Sequence, residues 1–208
     1  NMENDPDKYF AFPLSTIFGN PNPTHETESA QRQLFFEVSN SSDKYALMST
    51  LERYVKGLTK ASSLLYEVLN TADELYTNAI YNAPFVNYAN DGSGAERDFN
   101  NVHVADNKRP YFFAGHDGNR IVLGCNDQFG TLNVQKLLSK IKKCYENDLS
   151  TVINYSSGGA GIGAYMIFES SAGVYIGVRQ GIQTLMCCSF AYKLNSVSRT
   201  QLPKNLHI

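Results

Sequence analysis

The sequence contains no tryptophan, and it has only four cysteines and four histidines in 208 residues. A compact zinc site needs Cys or His ligands at close, regular spacing. The cysteines form no Cys-x-x-Cys pair and the histidines are scattered, so we predict no metal site built from either. We expect free thiols in a reducing compartment, which favours a cytoplasmic protein. The four cysteines are Cys125, Cys144, Cys187 and Cys188.

Long apolar runs and an excess of one charge are also missing. No run reaches the roughly 18–20 apolar residues that a membrane span requires, so no membrane partner is predicted. The formal net charge of −2 gives no indication of nucleic-acid binding. With 42% hydrophobic and 18% charged residues, the chain has the composition of a globular protein with a real core.

The distribution of residue types predicts one domain with two appendages. Residues 1–29 are rich in Asn, Pro, Asp and Thr, which is typical of an arm or linker. Its apolar interruption, YFAFPLSTIF, could dock on another surface. Residues 30–195 are interpreted as the domain, and residues 196–208 as a C-terminal tail.

Hydrophobic periodicity within the domain predicts the order strand, helix, helix, hairpin, helix, helix, hairpin. Because two consecutive hairpins favour a mixed or antiparallel sheet, we expect an α+β two-layer sandwich with the helices on one face. The polar stretch 86–109 predicts a long exposed loop. The predicted elements are a strand at 32–38, helices at 43–58, 61–79 (broken near residue 70), 131–146 and 160–170, and hairpins turning at 116–119 and 179–183. Lysines 136, 140, 142 and 143 are expected on the solvated side of helix 131–146.

Glycine is concentrated in the stretch YSSGGAGIGAYM, residues 155–166. A Walker-type phosphate loop is excluded, because it needs a lysine that this stretch does not have. A dinucleotide-binding loop needs a parallel strand and an acidic residue about 20 positions later. A hairpin follows instead, and no Asp or Glu comes after Glu169. A plain turn, or a helix N-terminus that offers its N–H groups to a phosphate, remains open.

Two other segments carry side chains suited to a nucleotide site. In DELYTNAIYNAP, Glu74 and Asn78 lie four apart on one face of a helix. The Asn78 oxygen could coordinate Mg²⁺, and Glu74 could polarise a hydroxyl or water. In GCNDQFGTL, Asp127 could accept a hydrogen from the amino group of adenine, with Gly130 leaving room for the ring. Taken alone, each segment is more simply read as a solvated pair or a turn.

Together and in this order, the three segments resemble the GHKL (Bergerat-fold) ATPase superfamily over roughly residues 31–195. Glu74-Leu-Tyr-Thr-Asn78-Ala79 is similar to the N box of the family. Asp127-Gln-Phe-Gly130 is similar to its first glycine box, and Gly159-Ala-Gly161-Ile-Gly163 to its second. The resemblance implies a Bergerat ATP-binding fold in which Asn78 holds Mg²⁺, Asp127 reads adenine, and the three glycines cradle phosphates. In kinase members the residue matching Glu74 acts as the general base.

The short gap between the glycine boxes is most similar to the anti-sigma-factor serine kinase branch. The first hypothesis is therefore ATP- and Mg²⁺-dependent phosphorylation of a serine or threonine on a regulatory partner, of sigma-like or anti-anti-sigma-like kind, in a bacterial switch. The second is a non-catalytic module that regulates a partner by docking. Its motivation is Phe129, which stands where the family has glycine and predicts a weaker adenine contact. A homodimer and a purely structural domain are left open, and a histidine kinase that phosphorylates itself is not expected.

Overall fold

A six-stranded sheet organises the protein, as seen in a computed structural model that describes residue 10 and residues 33–85, 102–146 and 162–208. The strands are β1 (Leu34–Glu37), β2 (Tyr111–His116), β3 (Arg120–Asp127), β4 (Gly173–Arg179), β5 (Gln183–Ala191) and β6 (Asn205–His207). The helices are α1 (Asp43–Leu58), α2 (Ser62–Tyr76), α3 (Val134–Glu146), α4 (Ile162–Ser170) and α5 (Ser196–Thr200). The described residues also form a π-helical segment (Thr77–Asn82) and two 3-10 turns (Ala83–Phe85 and Asp106–Lys108).

The strands lie in the order β1-β2-β3-β5-β4-β6. Only β4 and β6 are parallel among these pairs, so the sheet is mixed. The two predicted hairpins are β2–β3 and β4–β5. They join through β3 and β5, which sets Asp127 at the end of β3 directly opposite Thr184 of β5. The predicted fold class, an α+β sandwich with a mixed sheet, is confirmed.

The main core lies between one face of the sheet and the helices. Helices α1 and α2 each carry a buried apolar stripe at three- and four-residue spacing, as expected for an amphipathic helix on a sheet. Alternate residues of the central strands face this stripe. The core includes Leu47, Leu51, Val55, Leu64, Val68, Leu75, Phe112, Ile121, Leu123, Cys125, Val174, Ile176, Cys188 and Phe190.

The opposite face of the sheet carries a smaller apolar cluster that includes Phe10. The Tyr111 hydroxyl donates a hydrogen bond to the Phe10 carbonyl at 3.2 Å, and the Arg179 guanidinium lies 4.6 Å from the Phe10 ring centre. The apolar interruption of the N-terminal arm therefore contacts the sheet at Phe10. The other members of the cluster are Phe113, Val122, Leu185 and Cys187.

Three segments differ from the sequence-based expectation. The break predicted near residue 70 is wrong, because α2 runs unbroken to Tyr76 with Thr71 buried inside the protein. The expected exposed loop is buried at two points near its end, since Val102 and Val104 join the core while His103 and residues 105–107 are exposed. Residues 196–208, interpreted as a tail, form α5 and the strand β6, which pairs with β4.

Among the residues that the structure describes, no helix combines the length and the apolar character needed to cross a membrane.

Candidate functional site

A cavity of about 350 Å³ opens between the helices and the ends of β3 and β5. Its volume lies within the range of about 300–1,000 Å³ that is usual for small-molecule sites. Helices α2, α3 and α4 and the π-helical segment all contribute to its wall. Its apolar walls include Leu75, Ala79, Cys125, Leu137, Ile167 and Met186.

Asp127 and Thr184 are buried polar residues of the cavity wall, and we call the part of the cavity beside them its closed end. The register of β3 and β5 places them side by side, and only 9% of Asp127 and 5% of Thr184 is exposed. A buried carboxylate is costly unless hydrogen bonds support it. Asp127 Oδ1 accepts hydrogen bonds from the backbone N–H groups of Phe129 at 2.9 Å and Gly130 at 3.3 Å.

Burial nevertheless raises the pKa of Asp127, because desolvation outweighs the two backbone hydrogen bonds and the charge of Lys108. The Thr184 hydroxyl lies beside the carboxylate and also favours its charged form. That contact falls short of a full hydrogen bond, which leaves the buried Thr184 Oγ1 without a partner. Buried polar atoms are normally satisfied. The closed end is thus suited to a ligand that offers hydrogen-bonding groups of its own.

The loop after Asp127 is held by its glycine. Gly130 has a φ of +61°, and a Cβ atom there would lie 2.2 Å from the Arg179 carbonyl oxygen in the β4–β5 turn. The Gly130 carbonyl accepts a hydrogen bond from the Gly181 N–H at 3.0 Å. Gly130 therefore lets the loop pass close to the turn and keeps Asp127 in place, and it does not itself line the cavity.

Phe129 also lies outside the cavity wall in the described part of the chain. The Lys108 ammonium is 5.7 Å from the Phe129 ring centre and donates a hydrogen bond to the Gln128 carbonyl at 2.6 Å. The Phe129 ring packs against the edge of the main core. Phe129, which replaces the glycine of the resembled motif, therefore does not line the cavity next to Asp127.

Glu74, on the last turn of α2, and Asn78, in the π-helical segment, are half-buried polar residues of the wall, and we call the part of the cavity beside them its open end. Asn78 Nδ2 donates to Glu74 Oε1 at 3.0 Å, and Asn82 Nδ2 donates to Asn78 Oδ1 at 2.8 Å. Burial is the largest influence on Glu74 and raises the pKa of its carboxyl group. π-Helical turns are rare and occur frequently at functional sites.

Gly163, in the first turn of α4, fixes the space available to Glu74. A Cβ atom at this position would lie 2.1–2.3 Å from the carbon and both oxygens of the Glu74 carboxylate. The absence of a side chain at residue 163 therefore lets the carboxylate rest against α4. Gly159 and Gly161, the other two glycines predicted to cradle phosphates, lie outside the described residues.

Sequence reasoning missed several polar side chains of the wall, among them Thr184, Lys136 and Lys140. Thr184 depends on the pairing of β3 with β5, which the local pattern does not reveal. The two lysines were expected on the solvated side of their helix. Their positions beside the buried residues Leu137 and Ile141 could have indicated the edge of the apolar stripe instead.

The oxygen donors at the open end suit a cation that takes only one or two ligands from the protein. Within residue 10 and the ranges 33–85, 102–146 and 162–208, no cluster of three or more His, Cys, Asp or Glu is arranged to bind a metal. Glu74 and Asn78 offer oxygen atoms at one place in the wall. Mg²⁺ typically takes one or two protein oxygens and fills its octahedron with phosphate oxygens and water. Asn78, with Glu74 beside it, is compatible with that pattern.

No protein-family model matches this chain, and no curated protein matches it significantly.

Proposed function

We propose that this chain is an ATP- and Mg²⁺-binding regulatory protein of the GHKL type, which phosphorylates a serine or threonine on a partner protein in a bacterial signalling switch. One observation carries the proposal. Glu74, Asn78 and Asp127, assigned to two separate sequence motifs, line the same cavity. The Asp127 end is buried and polar, and the Glu74 end carries the groups suited to phosphate chemistry.

The closed end supports recognition of adenine. The Asp127 carboxylate would accept a hydrogen from the exocyclic amino group, and Thr184 would donate to or accept from the ring edge, directly or through water. A flat ring would lie between apolar walls such as Ala79 and Met186. A site built to hydrogen-bond a ligand rejects analogues that lack the matching group, because its buried polar atoms are then left unpaired.

The open end supports phosphoryl transfer. Glu74 would accept the proton of the acceptor hydroxyl as its oxygen bonds to the terminal phosphorus and the bond to the leaving ADP oxygen breaks. The raised pKa of Glu74 suits this role, since a stronger base takes the proton more readily. Asn78 would hold Mg²⁺, which supplies neutralisation of phosphate charge.

Calorimetric titration with ATP and ADP in the presence of Mg²⁺ tests the proposal. Wild type should bind both nucleotides, and Asp127→Asn and Asn78→Ala should each weaken ATP binding by about tenfold or more, as the loss of a charge-assisted hydrogen bond or of a metal ligand predicts. Normal ATP binding by both variants would remove the site assignment, and no wild-type binding at millimolar nucleotide would overturn the proposal.

A second measurement separates the kinase from the docking module. Incubation with γ-labelled ATP and candidate acceptor proteins should give phosphoserine or phosphothreonine that depends on Glu74. Binding of ATP with no transfer to any acceptor, and no hydrolysis, would contradict the kinase assignment and leave a regulator that acts by docking.

A further inference from the structure

Two lysines of α3 line the cavity described above. Lys136 and Lys140 are four residues apart, so their side chains lie on the same face of the helix. Lys136 is exposed and Lys140 is half-buried, while the adjacent Leu137 and Ile141 are buried in the core. The two ammonium groups are therefore carried by a helix whose position is set by packing.

Lys136 and Lys140 differ from Lys142 of the same helix in their ion pairing. Among the residues that the structure describes, neither forms an ion pair with a carboxylate. Lys142 on the same helix, by contrast, pairs with Glu146 at 3.5 Å. Glu74 does favour the charged form of Lys140, but burial and the like charge of Lys136 outweigh it and lower the pKa of Lys140. An anion bound between the two lysines would relieve that repulsion.

The lysines and Asp127 make the cavity electrostatically asymmetric. Asp127 lies at the buried end, where a cationic or hydrogen-donating group would fit. Lys140 of α3 is close enough to Glu74 of the open end for their charges to interact, and Lys136 lies one helical turn before it. A ligand that fills the cavity should therefore carry hydrogen-bond donors at one end and negative charge at the other.

We propose that Lys136 and Lys140 bind the phosphates of the ligand, and that the cavity selects nucleoside di- and triphosphates over monophosphates and nucleosides. The assignment of the base to adenine rests on the proposed function, whereas the assignment of an anionic group to the lysines does not. A lysine ammonium is a compact charge with three donors and is a common phosphate ligand. Asn78 would then coordinate Mg²⁺, and the two lysines would donate hydrogen bonds to other phosphate oxygens.

The test is a set of binding titrations on the full chain with Mg²⁺, using ATP, ADP, AMP, adenosine and inorganic tripolyphosphate as probes. The variants are Lys136→Gln, Lys140→Gln and their combination. Lys142→Gln is the matched control, because it removes the same charge from the same helix outside the cavity. Thermal unfolding of each variant checks that the fold is retained.

Each cavity lysine that is removed should weaken ATP and tripolyphosphate binding by about tenfold or more, as expected for a hydrogen bond to a charged group. Adenosine binding should not change, and Lys142→Gln should behave as wild type. The inference is overturned if the cavity variants bind ATP and tripolyphosphate as Lys142→Gln does, or if wild type binds neither probe.

The outcomes also separate this inference from the proposed function. If tripolyphosphate binds through Lys136 and Lys140 but ATP binds no better than tripolyphosphate, the phosphate site stands and adenine recognition fails. If ATP binding depends on Asp127 and is indifferent to both lysines, adenine recognition stands and the phosphate assignment fails.

Discussion

The two ends of the cavity are built by different physical means. At the closed end, Asp127 and Thr184 lie on paired strands, and backbone hydrogen bonds and the tight turn at Gly130 hold the carboxylate. At the open end, Glu74 and Asn78 lie on a helix and its π-helical extension. Asn78 donates a side-chain hydrogen bond to Glu74 and accepts one from Asn82. Substitutions at the closed end should therefore mainly change the free energy of unfolding, and substitutions at the open end should mainly change the rate of phosphoryl transfer. Each prediction below tests that division.

The largest effect is expected at Glu74. Glu74→Gln keeps the size of the side chain and removes the base, so phosphoryl transfer from ATP should fall by about 10²–10⁴-fold while nucleotide binding stays close to wild type. The wild-type rate should also drop as the pH falls through the Glu74 pKa, at a value above the ordinary value of about 4.3 because burial raises it. A pH–rate profile checks this, and a Glu74→Gln enzyme with the same inflection would exclude Glu74 as the base.

The next effect is on stability and concerns Gly130. Gly130→Ala should cost about 3 kcal/mol of unfolding free energy, because it adds left-handed backbone strain to a clash with the backbone of the β4–β5 turn. Chemical denaturation measures the loss. Gly181→Ala is the control, since Gly181 also has a positive φ of 72° but has nothing within 4 Å of the new Cβ. Equal losses in the two variants would show that the close approach at Gly130 contributes nothing.

At Asp127, stability and function should change in opposite directions. Asp127→Asn keeps an oxygen for the Phe129 and Gly130 N–H groups but removes a buried charge. Because the folded-state pKa of Asp127 is raised, its stabilising contribution is complete below the unfolded value of about 3.9 and is lost as the pH rises through the folded value. Wild type should therefore lose stability relative to Asp127→Asn as the pH rises from about 4 toward neutrality.

Denaturation of both proteins across this pH range checks the Asp127 prediction. A difference in stability that stays constant with pH would mean that the buried carboxylate costs nothing when it ionises.

The smallest effect on stability is expected at Gly163. Gly163→Ala brings a Cβ atom against the Glu74 carboxylate, which is the movable end of a side chain, and alanine also favours the helix. The unfolding free energy should therefore change by no more than about 1 kcal/mol. Phosphoryl transfer should fall sharply, because Glu74 is displaced. A variant that loses stability and keeps its activity would reverse the assigned roles of the two ends.

The features that could be predicted from the sequence are local ones. Helix periodicity places Glu74 and Asn78 on one face, and Asp117-Gly118 marks a hairpin turn. The position of Asp127 at the end of a strand follows from the apolar run before it. These signals are sufficient to predict the α+β sandwich.

The features that could not be predicted depend on contacts between distant segments. Thr184 reaches Asp127 only because β3 pairs with β5. A side chain at residue 130 would collide with the backbone of the β4–β5 turn, which lies some 50 residues later in the sequence. This contact accounts for the glycine, whereas the sequence suggested that it leaves room for an adenine ring. Lys140 enters the cavity wall because α3 packs across it. The π-helical geometry at Asn78 also could not be predicted, since residues 77–82 continue the sequence pattern of α2.

The central claim is that one nucleotide occupies both ends of the cavity at once, and amide hydrogen exchange tests it most directly. Saturating Mg²⁺ and ATP should slow exchange together at residues 127–132 and 184–186 of the closed end and at 74–78 of the open end. The turn at 117–119, outside the cavity, should not respond. Protection confined to one end, or no change at either end, would contradict the account.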